Sequence, residues 1–468
     1  AVGVAYSAGG TEQRIASAHV ETTSDYRGQG FVCTSGNNDT TFPAMTEDVD
    51  VSMELQAAAP QAFALAGWSY KLDPPAVMPA EILAVGRITQ PGFGAVSDSN
   101  GTDTSMNSRI AMYNELGTAL ETIKVHYGNF KTTGTTEAAG ANQISIRAAV
   151  EYPAGVFTPL QFAGVRDIVL AGGAFGSSDA LDIYIPSNHQ FWIRTFVSVT
   201  AGGVWPRGYV INSSRGEAAE TGTPAEKTTS GTITGSANAF GPLGVTATAF
   251  ENNPLGAAVA TIGDSISAGS GDGNYDLRGN TGWNGRASYN LIPHAMIAVG
   301  GTGVQNQATN FQYRLEMLKR LKVTHVVVGW GINDLNSGRS VAEVQADLQA
   351  MWNLLDTNGF KVWQNTITPR STGSWSTLAG QTPTLLTQRN SLNTFLRTIP
   401  APLEGIIDMA LVTEATGGDA GKWKVEPAWA IDNYTQDGLH PNVTDTGNRE
   451  GGHFVMADAA IPVFESWL

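Results

Sequence analysis

Residues 257–265 read Ala257-Ala258-Val259-Ala260-Thr261-Ile262-Gly263-Asp264-Ser265. Small and β-branched apolar residues fill the run without alternation, the pattern of a strand buried on both faces of a parallel sheet. Turn formers close it, so Ser265 falls at the carboxyl end of a strand, where open α/β sheets collect their ligands. Two later stretches repeat the pattern. Ala295-Met296-Ile297-Ala298 runs into Val299-Gly300-Gly301-Thr302-Gly303, and Val323-Thr324-His325-Val326-Val327-Val328 runs into Gly329-Trp330-Gly331-Ile332-Asn333-Asp334-Leu335-Asn336. All three turns are therefore expected at one sheet edge.

Helical signals alternate with these strands. Ser340-Val341-Ala342-Glu343 is a capping box, and Val341, Val344, Leu348, Met351 and Leu355 recur at i, i+3, i+4 spacing up to the stop at Gly359. Residues 360–363 start another strand, 385–398 repeat the helical period, 405–408 read as a strand and 453–468 as a closing helix. The pattern is that of a doubly wound parallel sheet.

A serine hydroxyl attacks an ester at neutral pH only with a base in hydrogen-bond reach and a third group to fix that base's tautomer. Asp437-Gly438-Leu439-His440-Pro441 offers both. Its Asp and His lie three apart in a stretch too rich in Gly and Pro to be mid-helix, so one tight turn can aim both side chains alike. Ser265, His440 and Asp437 are the candidate nucleophile, base and orienting acid. Taken singly, Ser265 reads equally well as a helix N-cap and His440 as an ordinary loop histidine. Acyl transfer also needs donors aimed at the developing oxyanion. The Ser265 and Gly301 N–H groups and the Asn333 amide fit that need without adding a titrating group.

The order Gly-Asp-Ser, Gly-Gly, Gly-x-Asn-Asp, Asp-x-x-His resembles the SGNH/GDSL hydrolase family, over roughly residues 257–468. The resemblance implies a flavodoxin-like serine esterase domain with Ser265 as nucleophile, His440 as general base oriented by Asp437, and an oxyanion hole of Ser265, Gly301 and Asn333. Two departures stand out. The second block, Ala298-Val299-Gly300-Gly301-Thr302-Gly303, leaves Gly300 or Gly303 as alternative donors. The segment 442–453 is longer than the pattern leads one to expect. Asp264, Trp283 and Trp330 are candidates for the substrate pocket, although a Trp packed at a strand end explains Trp330 as well.

Other chemistries fit less well. Ser265 lacks a Gly-x-Ser-x-Gly elbow. The seven histidines show no His-x-x-x-His spacing, so neither a metal nor a cofactor is implied. Residues 98–103 read as a solvated turn rather than a calcium loop, because Arg109 stands where the closing acid belongs. Gly269-x-Gly271-x-Gly273 reads as loop.

Composition bounds the rest. A length of 468 residues allows about three domains. A formal charge of −15 disfavours nucleic acid and anionic membranes as partners. No apolar run approaches the ~18 residues of a membrane span. Cys33 is the only cysteine, so no intrachain disulfide forms. Only 15% charged residues and 54 glycines suit a secreted or cell-surface protein of bacterial or phage-like type. The chain starts Ala1-Val2-Gly3, so any signal peptide is expected to have been removed already.

The N-terminal half has a different period. Residues 143–151, 183–185 and 191–199 alternate apolar and polar, separated by turn clusters, which predicts a β-rich sandwich or jelly-roll-like accessory domain over 109–250. Residues 1–108 read as an extension that includes a short helix over 55–65 and serves as an oligomerisation element, a homo-oligomer being one state left open. The stretch 213–237 reads as a surface loop or linker, and Asn252-Asn253-Pro254 as the boundary before a catalytic domain over 251–468. Since all candidate chemistry lies between 265 and 440, residues 1–250 are expected to be separable from it.

The functional expectation is a secreted serine esterase that removes small acyl groups, acetyl first, from carbohydrate. Two alternatives stay open: a short-chain lipid or thioester hydrolase of the same family, and a surface or phage-tail-like glycan-binding protein with a secondary esterase site.

Overall fold

The structure, a computed structural model, describes residues 81–85, 97–114, 118–133, 136–208, 211–249, 257–272, 282–427, 433–443 and 450–468, with three short strand pairs among the first 69 residues. The chain divides into two compact units, Ala1–Asp73 and Pro74–Leu468. The helix expected over 55–65 lies outside the described residues except for Ala64–Leu65, which is a strand. The boundary expected at 252–254 also lies outside them.

Five parallel strands form the C-terminal sheet: β1 (Val259–Gly263), β2 (His294–Met296), β3 (His325–Gly329), β4 (Lys361–Asn365) and β5 (Gly405–Ile407). Their order is β2-β1-β3-β4-β5. Every residue of β1 is buried, as the unbroken apolar run requires. The chain leaves β1 toward β2 and then crosses back to β3, so the topological switch lies between β1 and β3, and the crevice opens at their carboxyl ends.

Right-handed crossovers put the connections on either side of this switch on opposite faces of the sheet. In keeping with that, α1 (Gly282–Ser288) and α6 (Met409–Thr413) pack on α7 (Gly452–Glu465), whereas α4 (Val341–Thr357) packs on α3 (Ile332–Asn336) and α5 (Leu386–Leu396). The helix α2 (Gln312–Arg320) leads from β2 to β3. The capping box of α4 forms as read: Ser340 Oγ accepts the Glu343 N–H and Glu343 returns the bond to the Ser340 N–H. Its Val344, Leu348, Met351 and Leu355 are buried.

The N-terminal half of the larger unit is antiparallel. One sheet orders Phe157–Pro159, Ile144–Glu151, Gln190–Ser198, Ser105–Tyr113 and Ala218–Gly222; the other orders Phe175–Ser177, Leu120–Gly128, Gly244–Ala249 and Ile82–Val85. Alternate residues Ile144, Ile146, Ala148 and Val150 of the first join Ile123, Val125 and Tyr127 of the second in one buried cluster. The linker reading of 213–237 does not hold. Ala218–Gly222 is an edge strand, and Arg215 and Glu217 are buried against each other. A polar composition resembles a linker whether its side chains meet water or one another. Residues 98–103 do form a turn, with Asn100 Oδ1 accepting the N–H groups of Thr102 and Asp103.

The antiparallel half does not stop at its own core. Phe130 and Leu243 belong to the apolar cluster of the parallel sheet, where Phe130 stacks on Tyr313 with ring centres 5.4 Å apart. The hairpin of Phe130–Thr133 and Thr136–Ala139 thus rests on α2.

Candidate active site

After β1 the chain coils tightly through residues 264–271. The Ala268 N–H donates to Asp264 O and the Ser270 N–H to Ser265 O, both at 2.9 Å. Asp264 is fully buried beneath this coil, and its Oδ1 accepts the Ile266 N–H at 2.9 Å. Burial pushes its carboxyl up to about 7, against the opposing effects of the Ile266 and Ser267 N–H bonds and of His440 nearby.

The coil meets the loop that carries His440. Gly271 makes this possible: its φ is +92° and a Cβ there would lie 2.0 Å from Pro441 O, so a side chain would drive the two segments apart. Across the junction, Ser265 Oγ–H donates to His440 Nε2 at 2.8 Å, and His440 Nδ1–H donates to Asp437 Oδ2 at 2.6 Å. The other carboxylate oxygen, Oδ1, accepts the N–H groups of Leu439 and His440 at 2.8 and 2.7 Å. One carboxylate therefore shapes the turn and fixes the ring. Burial alone would raise the Asp437 carboxyl, but the His440 ring and these two N–H groups outweigh it and hold it well below the usual carboxylate range.

The glycine turn after β2 lies alongside. A Cβ on Gly300 would stand 3.8 Å from that of Ser265, while Gly301 has φ +75° and open space around it. Gly303 instead faces the buried Asp334, whose carboxylate accepts the Val304 and Gln305 N–H groups at 2.9 and 3.1 Å. Burial raises the Asp334 carboxyl and these bonds oppose it. From α3, Asn333 donates one amide hydrogen to Thr302 O at 2.9 Å; this fixes the amide's orientation and leaves the second hydrogen for a ligand.

The structure thus brings together Ser265, His440, Asp437, Gly300, Gly301 and Asn333, and turns Gly303 away. Asp264, Trp283 and Trp330 are all fully buried, so none presents a surface to substrate. Trp330 instead donates from Nε1 to Thr302 Oγ1 at 3.0 Å and braces the glycine turn from behind.

Several supporting residues escaped the sequence reading. Thr435, fully buried, donates to His440 O at 2.6 Å and accepts the Gly438 N–H at 3.0 Å, while the Trp423 indole donates to Gly438 O at 3.0 Å. His453 of α7 accepts the Trp283 N–H on Nδ1 at 3.1 Å and donates from Nε2 to Ser270 O at 2.9 Å. Accepting on Nδ1 requires the neutral ring, and burial lowers its pKa to about 4. Local pattern carries no mark of the His453 and Trp423 roles, because their partners are remote in sequence, whereas Thr435 lies close to its partners and is set apart only by its burial. Among the described residues no group of three or more His, Cys, Asp or Glu side chains is placed to hold a metal, and no helix is long and apolar enough to cross a membrane.

Residues 261–444 match the model of the GDSL-like Lipase/Acylhydrolase family. Among curated proteins, none matches this sequence. Solved structures to which the chain is similar include a putative acylhydrolase from Bacteroides fragilis, with 19% identity over 46% of this chain and 89% of that one and a TM-score of 0.33. A carbohydrate acetylesterase family member from Sinorhizobium meliloti has 15% identity over 45% and 99%, with a TM-score of 0.32. An aryl esterase from M. smegmatis has 14% identity over 45% and 100%, with a TM-score of 0.30.

Proposed function

Because residues 261–444 belong to the GDSL-like lipase/acylhydrolase family, a family of ester hydrolases, we propose that this chain is a serine esterase that removes small acyl groups, acetyl first, from carbohydrate. The observation that carries the reading is the unbroken hydrogen-bonded series from Ser265 through His440 to Asp437 beside the Gly300-Gly301 turn. In this reading Ser265 Oγ attacks the ester carbonyl carbon while His440 Nε2 takes its proton. Asp437 stabilises the imidazolium, and the Ser265 and Gly301 N–H groups and the Asn333 amide receive the oxyanion. On collapse the C–O bond breaks and His440 protonates the departing alcohol oxygen. Water, deprotonated by His440, then releases the acid and restores Ser265.

The choice of a polymeric alcohol rests on shape and context. The Asp437 side chain is 51% exposed and that of His440 25%, so the chemistry sits in a shallow, open place that a bulky leaving group can reach. The two antiparallel sheets around a shared core are read here as a sandwich that helps to seat such a substrate, and the low charge content as the mark of a secreted or cell-surface protein.

The test joins labelling to profiling. A serine-reactive phosphonate is expected to label Ser265 alone, and Ser265→Ala to lose turnover of p-nitrophenyl acetate while folding normally. Activity is expected to fall from acetyl to longer acyl chains and to extend to acetylated polysaccharides. Labelling at another serine in active protein ends the assignment. Rates that rise with chain length favour a lipid hydrolase, and glycan binding without turnover favours an adhesin.

A further inference from the structure

The glycine turn beside Ser265 is held from two directions. One is local, the Asp334 carboxylate described above. The other starts in the antiparallel half. Glu137, on the hairpin strand Thr136–Ala139, has a fully buried side chain that accepts the Tyr313 N–H at 2.6 Å and pairs with the fully buried Arg314 guanidinium. Arg314 Nη2 donates to Gln307 Oε1 at 2.8 Å, and Gln307 Nε2 donates to Gly303 O at 3.1 Å. Gln307 is itself fully buried. Its amide has one orientation here, since only its oxygen can accept from Arg314 and only its nitrogen can donate to a carbonyl. The relay therefore has a direction, from a carboxylate near residue 137 to a carbonyl in the turn.

We propose that Glu137 is a positioning residue for the oxyanion hole, holding the 300–303 turn in place through Arg314 and Gln307. The inference rests on the reading of Ser265 as nucleophile and adds to it a part for the antiparallel half. Oxyanion donors act only when they are preorganised, and a displacement of about 1 Å can cost ~10²-fold in rate. A turn rich in glycine has little stiffness of its own, so outside contacts must supply it. The Gly303 carbonyl is a suitable handle because it lies in the same short turn as Gly300, which stands beside Ser265.

A purely structural role for Glu137, capping α2 and neutralising Arg314, makes different predictions. Gln307→Glu keeps a partner for Arg314 but offers Gly303 O no donor. It is expected to lower kcat for p-nitrophenyl acetate about 10-fold, below the ~10²–10³-fold loss of a donor itself, with KM changed less than about 2-fold. Glu137→Gln is expected to lower both stability and kcat. The double variant Glu137→Gln/Gln307→Glu gives Arg314 a carboxylate again, so the melting temperature should recover while kcat stays low. Recovery of kcat together with stability would show a structural role only and overturn the proposal. So would wild-type kcat in folded Gln307→Glu. A wild-type protein inert toward both p-nitrophenyl acetate and the phosphonate would instead overturn the hydrolase reading, and this inference with it.

Discussion

Removing residues 1–250 tests how far the two halves of the larger unit depend on each other. The fragment 251–468 keeps every proposed catalytic group, and sequence alone led us to expect that it would keep small-ester activity. The contacts argue otherwise. Truncation strips Glu137 from the fully buried Arg314, and breaking a buried pair by removing one partner costs about 3–5 kcal/mol. It also removes Phe130 and Leu243 from the parallel sheet's core, each worth roughly 1.5–3 kcal/mol of burial. The loss of roughly 6–11 kcal/mol compares with the ~5–15 kcal/mol that a domain commands in total. The fragment should therefore be largely unfolded or aggregated at 25 °C. Replacing the stranded charge by an apolar side chain of similar length, Arg314→Met, should recover part of the loss. Urea unfolding followed by tryptophan fluorescence reads both effects. A fragment that unfolds cooperatively at the midpoint of the full chain, with no gain from Arg314→Met, would refute the reasoning.

Asn333→Ala should lower turnover of p-nitrophenyl acetate by roughly 10²–10³-fold with little change in KM, since the amide is asked to act only as charge develops; normal turnover with raised KM would make it a ground-state contact. Asp437→Asn should cost about 10³–10⁴-fold, because the amide cannot hold His440 in the tautomer that accepts from Ser265, and a stopped-assay rate within tenfold of wild type would contradict that role. Stability should fall with acid. Burial lowers His126, His325 and His453 to about 4 and His294 to about 3, so between pH ~6.5 and ~4 the unfolded chain binds protons that these folded rings refuse. Their stabilisation is full above the unfolded pKa and is lost as pH falls, on the order of 1 kcal/mol per pH unit for each ring. Asp264 and Asp334 act in the opposite sense, since their raised carboxyls bind protons more readily in the folded state, but they are two groups against four. Urea midpoints at pH 7.5 and 5 should differ clearly, and a midpoint that holds or rises at pH 5 would show these rings to be solvated.

What the sequence disclosed and what it hid differ in range. The strands of the parallel sheet announce themselves because burial on both faces leaves an unbroken apolar run, and Ser340 with Glu343 is legible because both halves of a capping box lie within one turn. Ser265, Asn333, Asp437 and His440 are legible because each sits in a short block whose residue types are unusual together. Gly303 stays open as an alternative to Gly301 in the sequence, since only the buried carboxylate of Asp334, thirty-one residues on, shows that it packs inward while Gly300 lies beside Ser265.

Glu137 lies at the far end of that scale. In the strand Thr136–Ala139 it occupies an ordinary polar position, and its partners Tyr313 and Arg314 are more than 170 residues away. No period, cap or motif marks it, because its meaning is created by the hairpin that carries it onto α2. For the same reason nothing in the sequence marks Arg314, inside α2, as fully buried. A buried ion pair that sequence cannot reveal is also the contact whose loss most sharply separates a domain that can be cut away from one that completes its neighbour. If the relay from Glu137 to Gly303 acts as argued, the antiparallel half is part of the catalytic apparatus, and substrate choice and rate cannot be assigned to different halves of this chain.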